Sequence, residues 1–239
     1  MKITHALTQE LLQEKAAEEL SIELRKADGT SLLLLLSAGS ALSFLSKVSI
    51  PTTTSHITVG VLDERHSATE QENNFFTLSK TEFYKTLIAR GSQSIATNTR
   101  LESVEALALK MENSWKLWQE KNPQGLIIAT LGMGSDGHTS GIMPYPEDAG
   151  MFEILFEDNR RYVVGYDARG KHPIPLRATV TVPFLKNNVN VAITYISGNE
   201  KQNAYERLIA VSGSLAETPA RIFRKMQNVH LFTTITTHQ

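Results

Sequence analysis

The chain has 239 residues, no cysteine, and 24 Lys and Arg against 25 Asp and Glu. A chain of this length buries a core unaided, and the missing cysteines exclude a disulfide framework, a zinc–thiolate site and a thiol nucleophile. The near-zero net charge offers no electrostatic footprint for nucleic acid or an anionic membrane, so a bound anion must be held by a local site. The opening MKITHALTQELLQEK turns charged before a signal-peptide core forms, and the longest apolar run, Leu32 to Leu36, is too short to span a bilayer. A soluble, cytoplasmic protein is expected. With no repeat or long Pro/Gly/Ser linker, a single domain over residues 1–239 is expected as well.

Thr8 to Lys26 reads as a helix, because Leu12, Ala16, Leu20 and Leu24 recur at every fourth position. Asp28-Gly29 signals a turn. Strands are predicted at Leu32–Leu36, Ile57–Leu62, Leu126–Leu131 and Val189–Ile196, with weaker candidates at Val163–Tyr166, Ala178–Val182 and Val229–Thr233. Nearly continuous apolar character in the first three suits parallel strands covered on both faces. Helical patterns fill Asn73–Ala89, Leu101–Glu120 and Glu200–Val211; Trp115 and Trp118, three apart, read as packing residues. The alternation predicts an α/β fold: a doubly wound, mostly parallel sheet with helices on both faces, a Rossmann-like three-layer sandwich. Each strong strand ends in small, polar or charged residues: Ser37–Ser40, Asp63–Arg65, Gly132–Asp136 and Ser197-Gly198. Ligands in such sheets bind beyond the carboxyl ends of the strands, so four loops are candidates for one site.

The densest of these is LGMGSDGHTSGIMP, Leu131 to Pro144. Asp136 and His138 are two apart, and an extended backbone points both side chains to one side. A carboxylate beside an imidazole raises its basicity and orients it, which suits a general base. A glycine-rich turn with a surface histidine fits the same spacing. Gly132, Gly134 and Gly137 also match G-x-G-x-x-G. A dinucleotide fingerprint, however, belongs to the first βαβ unit and opens a helix, whereas here Pro144 and Pro146 soon interrupt one.

The loop resembles the G-x-G-x-D-G-H-T segment of the 6-phosphogluconolactonases, which share a fold with the glucosamine-6-phosphate deaminases. Further matches follow the same order along nearly the whole chain. LLLLLSAGSAL resembles the family's strand and phosphate loop, VGVLDERH with Asn74 its D-E-R strand end and downstream Asn, HPIPLRATVTVPFL its late basic segment, and ISGNEKQNA its G-x-x-K-A. The deaminases carry D-E-Y where this chain has Arg65, and a Glu before the loop proline where it has Met143. Methionine cannot relay a proton, so the lactonase branch is favoured.

The resemblance implies hydrolysis of 6-phospho-D-glucono-1,5-lactone to 6-phosphogluconate, with no metal and no organic cofactor. The implied partner is a small phosphorylated sugar lactone rather than nucleic acid or membrane, and the oligomeric state stays open. His138 is the implied general base on water, with Asp136 or Asp63 orienting it and backbone N–H groups of the glycine loop, Gly134 among them, facing the substrate. Arg65, Lys201 and Arg177, with Lys171 competing for the last role, are implied phosphate ligands beside Gly39 and Ser40 at a helix N-terminus. Asn74 joins the binding set. Each has an ordinary alternative: an ion pair of Arg65 with Glu64 or Glu70, a solvated Lys201, a capping Asp63 or Asn74. The family's second Gly and Thr of the phosphate loop are Ala38 and Ala41 here, which leaves the exact sugar phosphate open. An amino-sugar-phosphate isomerase or deaminase and a non-catalytic sugar-phosphate sensor are the alternatives. His5, His56, His66, His172, His230 and His238 show no metal-ligand spacing and read as structural or exposed.

Overall fold

Every side chain from Leu32 to Leu36 is buried. Successive strand residues point to opposite faces, so the sheet containing this run is covered on both. The computed structural model describes residues 1–97 and 99–236; His238 lies outside them. In chain order the elements are β1 (Lys2–His5), α1 (Gln9–Lys26), β2 (Leu32–Leu36), β3 (Ile57–Val61), β4 (Asp63–Arg65), α2 (Asn74–Ser79), α3 (Glu82–Ala89), β5 (Gln93–Ser94) and α4 (Val104–Lys121). They continue with β6 (Leu126–Leu131), α5 (Ala149–Phe156), β7 (Val163–Asp167), β8 (Leu176–Val180), α6 (Val182–Asn187), β9 (Val191–Ile196), α7 (Gln202–Ile209) and β10 (Val229–Thr233).

Seven strands form the main sheet in the order β1-β10-β9-β6-β2-β3-β5, and every pairing in it is parallel. From β2 the chain steps to β3 on one side and later returns to β6 on the other. That reversal opens a crevice beyond the carboxyl ends of β2 and β6, where doubly wound sheets bind ligands. The predicted strands β7 and β8 do not join this sheet. They pair antiparallel with β4 in a three-stranded sheet of order β4-β8-β7, which sets Arg65 opposite Arg177 in register.

Local chemistry explains several helix starts. Thr8 caps α1 by accepting the Leu11 N–H at 3.2 Å, and the predicted stripe Leu12, Ala16, Leu20 and Leu24 is buried. Ser103 caps α4 in the same way through the Ala106 N–H, and Trp115 and Trp118 both pack inside. Among the described residues no helix is long and apolar enough to cross a membrane.

Several expectations are corrected. The predicted helix over Asn73–Ala89 breaks into α2 and α3, because the Thr81 hydroxyl donates to the Leu78 carbonyl and then accepts the Tyr84 N–H as a new cap. Val182 belongs to α6 rather than to a strand, since Thr181 caps the Phe184 N–H and Pro183 favours a helix start. Residues 39–42, expected to open a helix, form a short 3-10 turn followed by a second at Leu45–Lys47. The Ser43 hydroxyl folds back onto the Ser40 carbonyl at 2.7 Å, and Gly39 takes a φ of 74°. No α-helix macrodipole therefore faces the loop after β2.

Candidate functional site

Four strand-end loops line one cavity of about 260 Å³ at the β2/β6 crevice. Ser37–Ser40 follow β2, Gly132–Gly134 and His138 follow β6, Lys201 follows β9, and the small sheet supplies Asp63, Arg65 and Arg177. A larger cavity, about 610 Å³, lies near the amino ends of β2 and β3 around Ser31, His56 and Trp118. Among the described residues His56 and Lys121 are the only ionisable ones lining it, and no carboxylate–imidazole pair opens onto it.

The loop after β6 is a tight turn in which Gly134 N–H donates to the His138 carbonyl at 2.9 Å and Gly137 N–H to the Gly134 carbonyl at 3.1 Å. Gly137 has a φ of 97°, a region that strains other residues. A Cβ on Gly134 would stand 2.2 Å from the His138 ring and 2.6 Å from the Asp136 carboxylate, so only glycine fits under this pair. Asp136 Oδ1 accepts both the His138 backbone N–H at 3.1 Å and His138 Nδ1 at 2.6 Å. A carboxylate on Nδ1 places the ring proton there and leaves Nε2 as the lone-pair nitrogen. Burial by itself would raise the Asp136 pKa. The side-chain hydrogen bond and charge of His138, with the backbone donor, outweigh it and hold Asp136 below the usual carboxylate range. The loop is strapped from outside: Thr139 hydroxyl donates to the Gly132 carbonyl at 2.8 Å, Tyr166 hydroxyl to the Gly141 carbonyl at 2.5 Å, and Gly141 N–H to the Thr179 hydroxyl at 3.0 Å.

The Asp-Glu-Arg stretch at β4 divides its work. Asp63 does not touch His138; its carboxylate accepts Arg177 Nη2 at 2.8 Å and Asn74 Nδ2 at 2.9 Å. Glu64, fully buried, accepts the Asn74 and Phe75 N–H groups at the start of α2, the Arg65 N–H and the Thr97 hydroxyl. Burial raises its pKa against those four donors. Arg65 donates through Nη1 to the Glu72 carbonyl at 3.3 Å, not to Glu64 or Glu70. The Nε atoms of both Arg65 and Arg177 are buried without a partner among the described residues. Burial first, then the neighbouring Arg177 charge, lowers the Arg65 pKa. Two guanidiniums held together with idle donors make a strong anion trap.

Lys201 completes the cationic lining. It is 8% exposed, and its ammonium donates to the Ser40 hydroxyl at 3.2 Å. Burial lowers its pKa, with Glu200 pulling the other way. Lys171 faces elsewhere, paired with Glu147 at 2.6 Å and lying over the Tyr145 ring, so Arg177 is the late basic residue at the cavity. Asn74 reaches the cavity, but its amide donors are taken by the Asp63 carboxylate and carbonyl. Gly134 and Gly137 have likewise committed their N–H groups to the turn and are not free oxyanion donors.

Three polar cavity residues stood outside the implied binding set: Ser37 and Ser140, named only as parts of their loops, and His172, read as structural or exposed. Ser140 has a φ of 51° and faces Ser37, with the hydroxyls 3.4 Å apart. Nothing in its sequence context signals that conformation. His172 stands five residues before Arg177 in a stretch fixed by Pro173 and Pro175, and that proximity was the available signal.

Comparisons with known proteins bear on the family and the fold. The family model described as glucosamine-6-phosphate isomerases/6-phosphogluconolactonase matches residues 7–232. A 6-phosphogluconolactonase of Bos taurus is 26% identical over 189 residues, 76% of this chain and 69% of that protein. Among solved structures, the 6-phosphogluconolactonase of Thermotoga maritima superposes with a TM-score of 0.72 at 20% identity, covering 97% of this chain and 98% of its own. A monomeric glucosamine-6-phosphate deaminase superposes with a TM-score of 0.70 at 16% identity, covering 98% and 97%. Since the family model spans nearly the whole chain, including the four strand-end loops that line the cavity, the chain belongs to the glucosamine-6-phosphate isomerase/6-phosphogluconolactonase family.

Proposed function

We propose that this chain is a hydrolase that opens 6-phospho-D-glucono-1,5-lactone to 6-phosphogluconate, with His138 as general base. The observation that carries the reading is the Asp136–His138 pair opening onto a cavity that also holds Arg65, Arg177 and Lys201. The three cations and the Ser40 hydroxyl bind the phosphoryl group, which anchors the lactone carbonyl near His138. His138 Nε2 takes a proton from water as the water oxygen bonds to the carbonyl carbon. The tetrahedral intermediate collapses by breaking the bond to the ring oxygen, which receives the proton from His138. The acid formed ionises and releases one proton to solvent. Asp136 holds the imidazole in the required tautomer throughout.

Met143 argues against deaminase chemistry. It stands where that branch carries its assisting Glu, it is fully buried, and its thioether transfers no proton. The discriminating assay offers the protein freshly generated 6-phosphogluconolactone and, separately, glucosamine 6-phosphate. Acceleration of lactone opening over the spontaneous rate, with no ammonia released from the amino sugar, is expected. Ammonia release without lactone hydrolysis would replace this reading with the deaminase. Binding of both sugars without turnover would leave a sensor.

A further inference from the structure

His172 lies in a loop between β7 and β8, half-buried, and lines the same cavity beside Arg177. Its Nδ1 is 3.1 Å from the Ile174 N–H and 3.4 Å from Arg177 Nη1. Both groups only donate, so Nδ1 serves as the acceptor and the ring proton sits on Nε2. The Ile174 carbonyl also lies 3.2 Å from Nδ1, but a proton placed there would face an amide hydrogen and a guanidinium. Burial, then the charge of Arg177, lowers the His172 pKa, with smaller effects from Arg65 and His138; the Ile174 contact pulls the other way. Burial and the neighbouring charges thus favour the neutral ring. Among the described residues the hydrogen bonds of His172 all run through Nδ1, which leaves Nε2 without a partner on a residue that lines the cavity.

We infer that His172 is a substrate-binding residue whose Nε2–H donates to an oxygen of the phosphorylated sugar held by Arg65 and Arg177. This rests on the sugar-phosphate reading above and adds a ligand that neither composition nor spacing singled out. The acceptor is a phosphoryl oxygen or a sugar hydroxyl, which share the chemistry of an oxygen lone pair. A merely structural role would run through Nδ1, which braces Ile174 and Arg177.

The two nitrogens can be separated by substitution. In His172→Asn the side-chain oxygen falls where Nδ1 stood and the Nε2 donor is lost. In His172→Gln the amide nitrogen falls where Nε2 stood. Calorimetric titration with 6-phosphogluconate, beside steady-state hydrolysis of the lactone, reads both. His172→Asn is expected to weaken product binding and raise KM by about tenfold, the usual scale for one hydrogen bond to a polar or charged ligand group. Its kcat should stay within about threefold of wild type, and His172→Gln should bind within about threefold of wild type. Inorganic phosphate, titrated into the same variants, locates the acceptor: a parallel loss in His172→Asn assigns a phosphoryl oxygen, and unchanged phosphate binding assigns a hydroxyl. Wild-type affinity in His172→Asn with loss in His172→Gln would overturn the inference in favour of a brace, as would wild-type affinity in both. A wild-type protein that neither hydrolyses the lactone nor binds the product would overturn the functional reading, and this inference with it.

Discussion

Asp63 and Arg177 form an ion pair whose side chains are 4% and 3% exposed. Removing one partner of such a pair strands the other charge out of water. Asp63→Ala should therefore cost about 3–5 kcal/mol of stability, read by denaturant unfolding, and should loosen the guanidinium proposed to bind the phosphoryl group; an unchanged midpoint would show that Arg177 finds a new partner. Lys201 makes a different prediction. Its ammonium sheds its proton more readily than an ordinary lysine of pKa 10.5, because burial disfavours the charged form. As pH rises the cation is lost early, so the affinity for 6-phosphogluconate should begin to fall at a pH below that value. Lys201→Arg should carry the fall to higher pH, since guanidinium keeps its charge. Titration of product binding against pH checks both, and an affinity flat through the alkaline range would contradict the role given to Lys201. The composition of the strand-end loops made Asp136, His138 and Arg65 stand out, whereas Arg177 and Lys201 were singled out only through the family resemblance. Neither showed how Asp63 and Asn74 spend their polar groups, because those partners lie more than ten and more than a hundred residues away.

At the scale of elements, the small sheet does work that the strand predictions did not assign to it. The runs that became β7 and β8 carry ordinary strand composition, and nothing local distinguishes a place in the main sheet from a separate antiparallel one. Their placement is set by packing: a Cβ on Gly165 in β7 would stand 2.6 Å from the Val104 carbonyl, so the strand lies against the backbone at the start of α4. Gly165→Ala should destabilise the protein by about 1–3 kcal/mol through forced separation of the two elements, measured by thermal or denaturant unfolding. A variant as stable as wild type would show that the two elements separate at no cost. The helix expected after β2 was the other misreading at this scale. The Ser43 hydroxyl competes for the Ser40 carbonyl, and short 3-10 turns result. The anion binding proposed at that loop would therefore rest on Lys201 and Ser40 rather than on a helix dipole.

Across the whole molecule, the continuous apolar runs and their regular alternation with helices made the doubly wound parallel sheet legible from the sequence. The cavity itself arises where the chain reverses between β2 and β6, which no local pattern records. Because one ligand would tie loops from both sheets, binding should stabilise the fold as a unit. With 6-phosphogluconate at a hundred times its Kd, a gain of about 2.7 kcal/mol is expected. It should appear as a rise in Tm that is greatly reduced in Lys201→Ala; an equal rise in that variant would place the ligand elsewhere. The central claim, that His138 opens the lactone ring, is tested most directly by proton release from freshly generated 6-phosphogluconolactone, wild type beside His138→Ala. The account predicts strong acceleration by wild type and a loss of about 10²–10⁴-fold in the variant, with product binding retained. Hydrolysis by His138→Ala at the wild-type rate would contradict it.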